Sequence, residues 1–158
     1  MDAVTKGAED DFLSMPGHLL RRCHQIGVAV FLDQCRAFDL TPLQFSALAA
    51  LDRFGPMDQA SLGGVTALDR TTILVVLRKL EQRGLITRRT SPKDKRSKIV
   101  ATTRAGSRVF ADVLPNVRAV QERILGPLSP GERVQLVSLL TKIAHANNAL
   151  SRAPHRLP

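Results

Sequence analysis

Apolar residues recur at helical spacing over most of the chain, and the breaks in that rhythm divide it into elements. From about Pro16 to Phe38 the spacing predicts a long helix with two apolar stripes. Leu19, Cys23, Ile26 and Val30 form one, and Val28, Phe31, Leu32 and Cys35 the other. A surface helix needs one stripe, so two imply burial on two sides, within a larger fold or against a second subunit. Thr41-Pro42-Leu43-Gln44 reads as a helix start: Thr as N-cap, Pro at the first helical position, Gln closing a capping box. Phe45, Leu48, Ala49 and Leu51 follow, and Gly55-Pro56 ends the element. Asp58 can cap a short helix, QASLGGVTA, with Leu62 and Val65 inward, although its Gly-Gly pair weakens it. Asp69 can cap RTTILVVLRKLEQR, whose inward stripe is Ile73, Val76 or Leu77, and Leu80, with Gly84 as terminator.

The period then changes. LITRRT (85–90) and KIVATT (98–103) gather β-formers around the turn SPKDKR, which predicts a hairpin with a basic tip. Thr103 can cap a helix from Arg104 to about Leu125, bent at Pro115. Ser129-Pro130-Gly131-Glu132 is a second capping box. The helix after it carries Leu136, Leu140, Ile143, Asn147 and Leu150 at 4-3-4-3 spacing, a coiled-coil-like seam. That seam suits intramolecular packing or a dimer; the two-faced first helix favours the dimer. Residues 1–14 read as a disordered N-terminus and 152–158 as a flexible tail. The expected fold is mainly α with a small β-hairpin wing. Residues 41–103 would form a winged helix-turn-helix lobe, and 16–38 with 104–150 a helical dimerisation region.

Charge narrows the function. The chain of 158 residues is formally +9, and residues 69–108 alone carry twelve Lys and Arg against Asp69, Glu81 and Asp94. The remainder balances, so the excess is local, and local basicity on a folded segment points to a polyanion. With no Tyr or Trp, the basic region has no aromatic platform on which to stack single-stranded bases. Duplex DNA is therefore the expected partner. No run approaches the ~18 apolar residues of a membrane span. The acidic start, MDAVTKGAEDD, lacks the basic and apolar regions of a signal peptide, so a cytoplasmic location is expected. No phosphate loop, nucleophile elbow, paired-acid arrangement or metal-type Cys/His spacing is present, so neither enzyme activity nor a cofactor is expected. Cys23 and Cys35 on one helix would lie roughly 18 Å apart, too far for a disulfide between them.

The element order resembles the MarR family of bacterial transcription regulators. The most specific likeness is in the wing, where Asp94 and Arg96 are followed by Thr102-Thr103 and Gly106 in the family's pattern. Leu80-Glu81-Gln82-Arg83-Gly84-Leu85-Ile86 resembles the family's junction of recognition helix and wing, and Leu40–Phe45 the start of its second helix. The resemblance covers about residues 16–150. It implies a homodimer on a palindromic operator, with a recognition helix in each major groove and each wing in a flanking minor groove. It also implies that Asp94 pairs with Arg96 and holds the guanidinium extended. The competing reading is a surface ion pair of little consequence.

On the recognition helix, Arg70, Thr71 and Thr72 occupy the first turn, where side chains reach bases or phosphates, and Arg78 and Lys79 suit phosphates. Leu74-Val75 departs from the Thr-Arg common in the family; these residues either touch thymine methyls or pack. The expected wing contacts are Arg88, Arg89, Lys93, Asp94, Lys95, Arg96 and Lys98. PGHLLRRCHQI (16–26) is similar to the branch that responds to hydroxycinnamates, other aromatic acids or their CoA thioesters. A small phenolic-acid or aryl-CoA effector would release DNA from a repressor of that kind. Its expected site is His18, Arg21, Arg22, Phe31, Phe45, Leu48 and Phe110, with an arginine for the anion; solvated arginines and core phenylalanines are the plainer alternative. Two further readings stand beside this one. Cys23, next to Arg22 and His24, could act as a redox sensor, though the chain lacks the tyrosines of the peroxide-sensing branch. An architectural DNA-binding protein without a ligand is the other.

Overall fold

The computed structural model describes residues 11–158. The N-terminal expectation lies outside it except at 11–14, where Phe12–Ser14 forms a 3-10 turn. The elements are α1 (Pro16–Gln34), α2 (Pro42–Phe54), β1 (Met57–Asp58), α3 (Gln59–Thr66), α4 (Arg70–Gln82), β2 (Ile86–Thr90), β3 (Lys98–Thr102), α5 (Arg104–Leu125) and α6 (Pro130–Ala146). The mainly helical winged fold is as expected, with a sheet of three antiparallel strands in the order β1-β3-β2. The added strand, β1, pairs Met57 with Val100 and Asp58 with Ile99. Two residues are too few to show a period of two, so the strand is set by β3 rather than by its own pattern.

Local hydrogen bonding explains the boundaries. Thr41 Oγ1 accepts from Gln44 N–H at 3.2 Å and Gln44 Oε1 accepts from Thr41 N–H at 3.0 Å, closing the capping box of α2. Asp58, Asp69 and Thr103 cap α3, α4 and α5, and Ser129 with Glu132 boxes α6. At the end of α4, Gly84 adopts φ 67°. Leu85 N–H donates to Leu80 O at 3.0 Å and Gly84 N–H to Glu81 O at 2.9 Å, a Schellman motif. α1 stops four residues before the expected Phe38: a 3-10 turn follows at Arg36–Phe38, and Asp39 is left-handed at φ 49°. The Arg83 guanidinium, arriving from the end of α4, donates to the carbonyls of Phe38 and Asp39 and holds that turn.

The core lies between α2, α3, α4, the sheet and the first half of α5. Leu48, Leu62, Leu77, Leu80, Ile86, Val100 and Val113 are fully buried there. α5 enters this core closely: a Cβ on Gly106 would stand 1.9 Å from Leu85 O, so only glycine lets the first turn dock. α5 continues through Pro115 as one element. It is tied to α1 by Asn116 Nδ2 to Gln34 O at 2.8 Å and by Arg123 to Asp33 at 2.7 Å. Phe31 and Cys35 are buried, whereas Leu19, Cys23, Ile26 and Leu32 are exposed, so only part of the two-stripe pattern is covered within the chain. α6 has no buried residue; Leu136 is half-buried, and Leu140, Ile143, Asn147 and Leu150 are exposed. The expected flexible tail at 152–158 instead packs on the lobe, where Arg156 N–H donates to Gly64 O at 2.9 Å. Among the described residues, no single helix is long and apolar enough to cross a membrane.

Candidate nucleic-acid interface

The recognition helix α4 is held from both sides. Its inward residues Ile73, Val76, Leu77 and Leu80 are all buried, which leaves Arg70, Thr71, Val75, Arg78 and Lys79 facing outward. Val75 is 45% exposed, while Leu74 is half-buried on the wall of a cleft, so the two apolar residues have different roles. Thr72 is not a free outward group: its hydroxyl donates to Asp69 Oδ2 at 3.0 Å, and its N–H donates to Oδ1 at 2.9 Å. These bonds, the backbone one first, hold the Asp69 carboxyl below the usual carboxylate range. The cap thus engages the third residue of the helix and leaves Arg70 and Thr71 exposed ahead of it.

The wing is a five-pair hairpin from Ile86↔Thr102 to Thr90↔Lys98. Arg89, Lys93, Lys95, Arg96 and Lys98 are exposed. Lys98 Nζ reaches back to Thr90 Oγ1 at 2.9 Å. Arg88 differs from expectation. It is half-buried, donating through Nε to Glu81 Oε2 at 2.9 Å and through Nη1 to Gln59 Oε1 at 3.3 Å. The Arg88 hydrogen bond keeps the Glu81 carboxyl ionised below its ordinary range. Arg88 therefore locks β2 to α3 and α4, while its neighbour Arg89 stays outward.

Asp94 also departs from the expected arrangement. Among the described residues it forms no ion pair with Arg96. Its Oδ1 accepts the backbone N–H of Arg96 at 2.9 Å, and its carbonyl accepts from Ser97 N–H at 2.9 Å. Buried Ser91 completes the tip: its Oγ accepts from Lys93 and Asp94 N–H, and its own N–H donates to Ser97 O at 2.9 Å. A carboxylate bonding the backbone two residues on is an Asx-turn. The acid shapes the loop and leaves the Arg96 side chain exposed.

Recognition helix and wing open on one cleft of 690 Å³. Its lining includes Gln59, Asp69, Arg70, Leu74, Arg96 and Lys98. Residues from 152–158 line it too; the sequence hints at their seat only through the unexplained Gly63-Gly64 pair. A second, more open crevice of 440 Å³ lies between α2 and α3, bordered by Phe45, Ser46, Arg53, Phe54 and Thr66. Of the seven residues expected around an effector, only Phe45 borders it. Phe31, Leu48 and Phe110 are buried in the core, where the Phe45 ring stacks on Phe110 and packs on Phe31. His18 sits against Phe12 at 5.2 Å, Arg21 donates to Gln25 at 3.0 Å, and Arg22 is exposed on α1. Both cysteines are free, and burial pushes the Cys35 thiol up. No cluster of potential metal ligands occurs among the described residues.

Residues 40–98 match the model of the MarR family. Over 133 residues, 84% of each chain, the sequence is 37% identical to the HTH-type transcriptional repressor NicR of Pseudomonas putida. The fold superimposes on Bordetella bronchiseptica BpsR, whose DNA binding is regulated by 6-hydroxynicotinic acid. The TM-score is 0.81 at 33% identity, covering 85% of this chain and 96% of that one. It also matches the transcriptional repressor CouR bound to a 23-mer DNA duplex, at TM-score 0.77 and 31% identity over 82% and 92% of the two chains.

Proposed function

The chain belongs to the MarR family of transcription regulators, and from that premise we propose a homodimeric repressor of a palindromic operator, released by a small aromatic acid. One observation carries the DNA reading: the first turn of α4 and the basic wing share a single cleft, with Arg70 on one wall and Arg96 and Lys98 on another. Arg70 and Thr71 then read the major groove. Arg78, Lys79, Arg89, Lys93 and Lys95 serve the phosphates, and Arg96 enters the minor groove, whose negative potential favours a guanidinium. The exposed seam of α6 and the uncovered stripe of α1 support pairing of two copies.

For the effector, the crevice between α2 and α3 offers apolar rings at Phe45 and Phe54 and one cation, Arg53; the Ser46 and Thr66 hydroxyls on its border donate to the carbonyls of Pro42 and Leu62 and are left as acceptors. That set suits a single-ring carboxylate better than a CoA thioester, whose phosphates ask for more positive charge. The ligand of BpsR supports the same class. A competition gel shift on a duplex selected from a random pool tests the first part. A regulator prefers its site by roughly 10³-fold or more over random DNA; an architectural protein does not. A panel of aromatic acids and aryl-CoA thioesters, read by gel shift and thermal shift, tests the second. Release by a one-ring acid, lost in Arg53→Ala, is the expected result, and no response from any acid would overturn the effector reading.

A further inference from the structure

The segment 152–158 carries Arg152, His155 and Arg156 and no acidic side chain. It is fastened at three points. Arg152 Nη2 donates to Asp69 Oδ2 at 2.7 Å. His155 and Asn148 exchange two hydrogen bonds, at 2.7 and 3.0 Å. Arg156 N–H donates to Gly64 O at 2.9 Å. Gly64 is its seat: a Cβ there would stand 3.3 Å from Arg156 Cβ, tighter than a relaxed contact. Its neighbour Gly63 serves the lobe itself, since a Cβ at that position would stand 3.1 Å from Leu68 O. The glycine pair therefore answers two close approaches, one within the helix-turn-helix and one to this segment.

Neighbouring residues of the segment face different spaces. His155 and Leu157 border the α2–α3 crevice, while Ala153, Pro154 and Arg156 line the cleft shared by Arg70, Arg96 and Lys98. Arg152 spends one N–H on Asp69 and remains 86% exposed. The Arg156 side chain makes no hydrogen bond among the described residues.

We propose that residues 152–158 form a basic arm of the DNA interface, in which Arg152 and Arg156 contact phosphates beside α3 and the start of α4. The sign of its charge decides between an arm and a cover. A segment that competed with DNA for a basic cleft would imitate DNA and be acidic; this one adds Arg156 to the cleft and sets Arg152 against Asp69 on its wall. Arg152 has a second effect, because its ion pair screens Asp69, a carboxylate that would otherwise repel the backbone of the duplex. The arm rests on the DNA-binding reading above and extends it to a segment outside the winged lobe.

The test uses the full chain and its selected duplex, with affinity measured across a salt series. Because each protomer of the dimer loses two cations, Arg152→Gln with Arg156→Gln is expected to weaken binding roughly 25- to 400-fold, and the slope of log K against log salt to fall by about three to four. A chain ended after Ser151 should reproduce both changes, and an unaltered thermal midpoint for the double variant would show that the lobe is intact. Arg96→Ala serves as the control. An unchanged slope in both arm variants, with Arg96→Ala impaired, would overturn the arm and leave the DNA reading standing. Tighter binding by the shortened chain would make the segment a cover and overturn it as well. A wild-type protein that bound no duplex would remove both readings.

Discussion

The winged lobe and α6 dispose of apolar surface in opposite ways. In the lobe, every inward residue of α4 is buried, and Leu62, Ile86 and Val100 close the core around it. In α6 nothing is buried, and Val134, Val137, Leu139, Leu140 and Ile143 are all exposed, Val134 by 72%. α6 is nevertheless well started, with its capping box and with Arg133 reaching Glu122 at 2.6 Å. Capping and one ion pair define a helix but do not cover its apolar side. The lobe thus covers its apolar surface within one chain, whereas α6 leaves its own uncovered, and the proposed pairing of two copies would bury it.

The largest expected effect follows from that contrast. Leu140→Asp with Ile143→Asp places two charges in the seam and should yield a monomer in sedimentation. Operator affinity should fall by at least about 100-fold, because two linked half-site contacts become independent. The lobe should keep its far-UV signal. A variant that stayed dimeric, or a monomer with undiminished affinity, would break the comparison.

Two glycines sharpen it. Gly106 joins α5 to the lobe, and its missing Cβ is what lets the helix meet Leu85 O. Gly106→Ala should cost about 3 kcal/mol or more, since the clash is with backbone rather than with a movable side chain. Gly131, in the first turn of α6, has nothing within 4 Å of an added Cβ. Gly131→Ala should be neutral or stabilising by up to about 1 kcal/mol. Urea midpoints for the two variants are the measurement. Similar midpoints would mean that the junction is no tighter than the open helix.

Legibility in the sequence follows the reach of the bonds involved. The caps at Thr41, Asp69, Thr103 and Ser129 were readable because each closes on a residue three positions along. The inward face of α4 was readable from its period. β1 was not, because its partners Val100 and Ile99 lie in a distant segment. In sequence Arg88 is indistinguishable from its wing neighbours, because its partners Glu81 and Gln59 lie on other elements that only the fold brings to it. Phe31 and Phe110, expected around an effector, are buried in the core and only Phe45 borders a crevice, because apolar pattern alone does not separate pocket lining from core. The seat of residues 152–158 left only a glycine pair as its trace.

The wing tip provides the smallest test, and it asks whether the lobe's self-sufficiency extends to one loop. Asp94 uses its carboxylate on the N–H of Arg96, not on the guanidinium, so the loop is held by bonds internal to residues 91–97. The two arrangements separate by substitution. If an ion pair aimed Arg96, Asp94→Asn and Asp94→Ala would both weaken operator binding. With the turn bond in place, an asparagine Oδ1 accepts the same N–H, so Asp94→Asn should bind as the wild type or slightly more tightly, having lost a negative charge near phosphates. Asp94→Ala should lose the turn in each protomer and bind at least about tenfold more weakly, since one hydrogen bond to a charged group contributes roughly 1.5–3 kcal/mol, despite its more positive net charge. Affinity measured for the three proteins at one salt concentration decides it. Equal losses in Asn and Ala would return the acid to a role in pairing with Arg96, and the tip would then be ordered by its side chains rather than by its backbone.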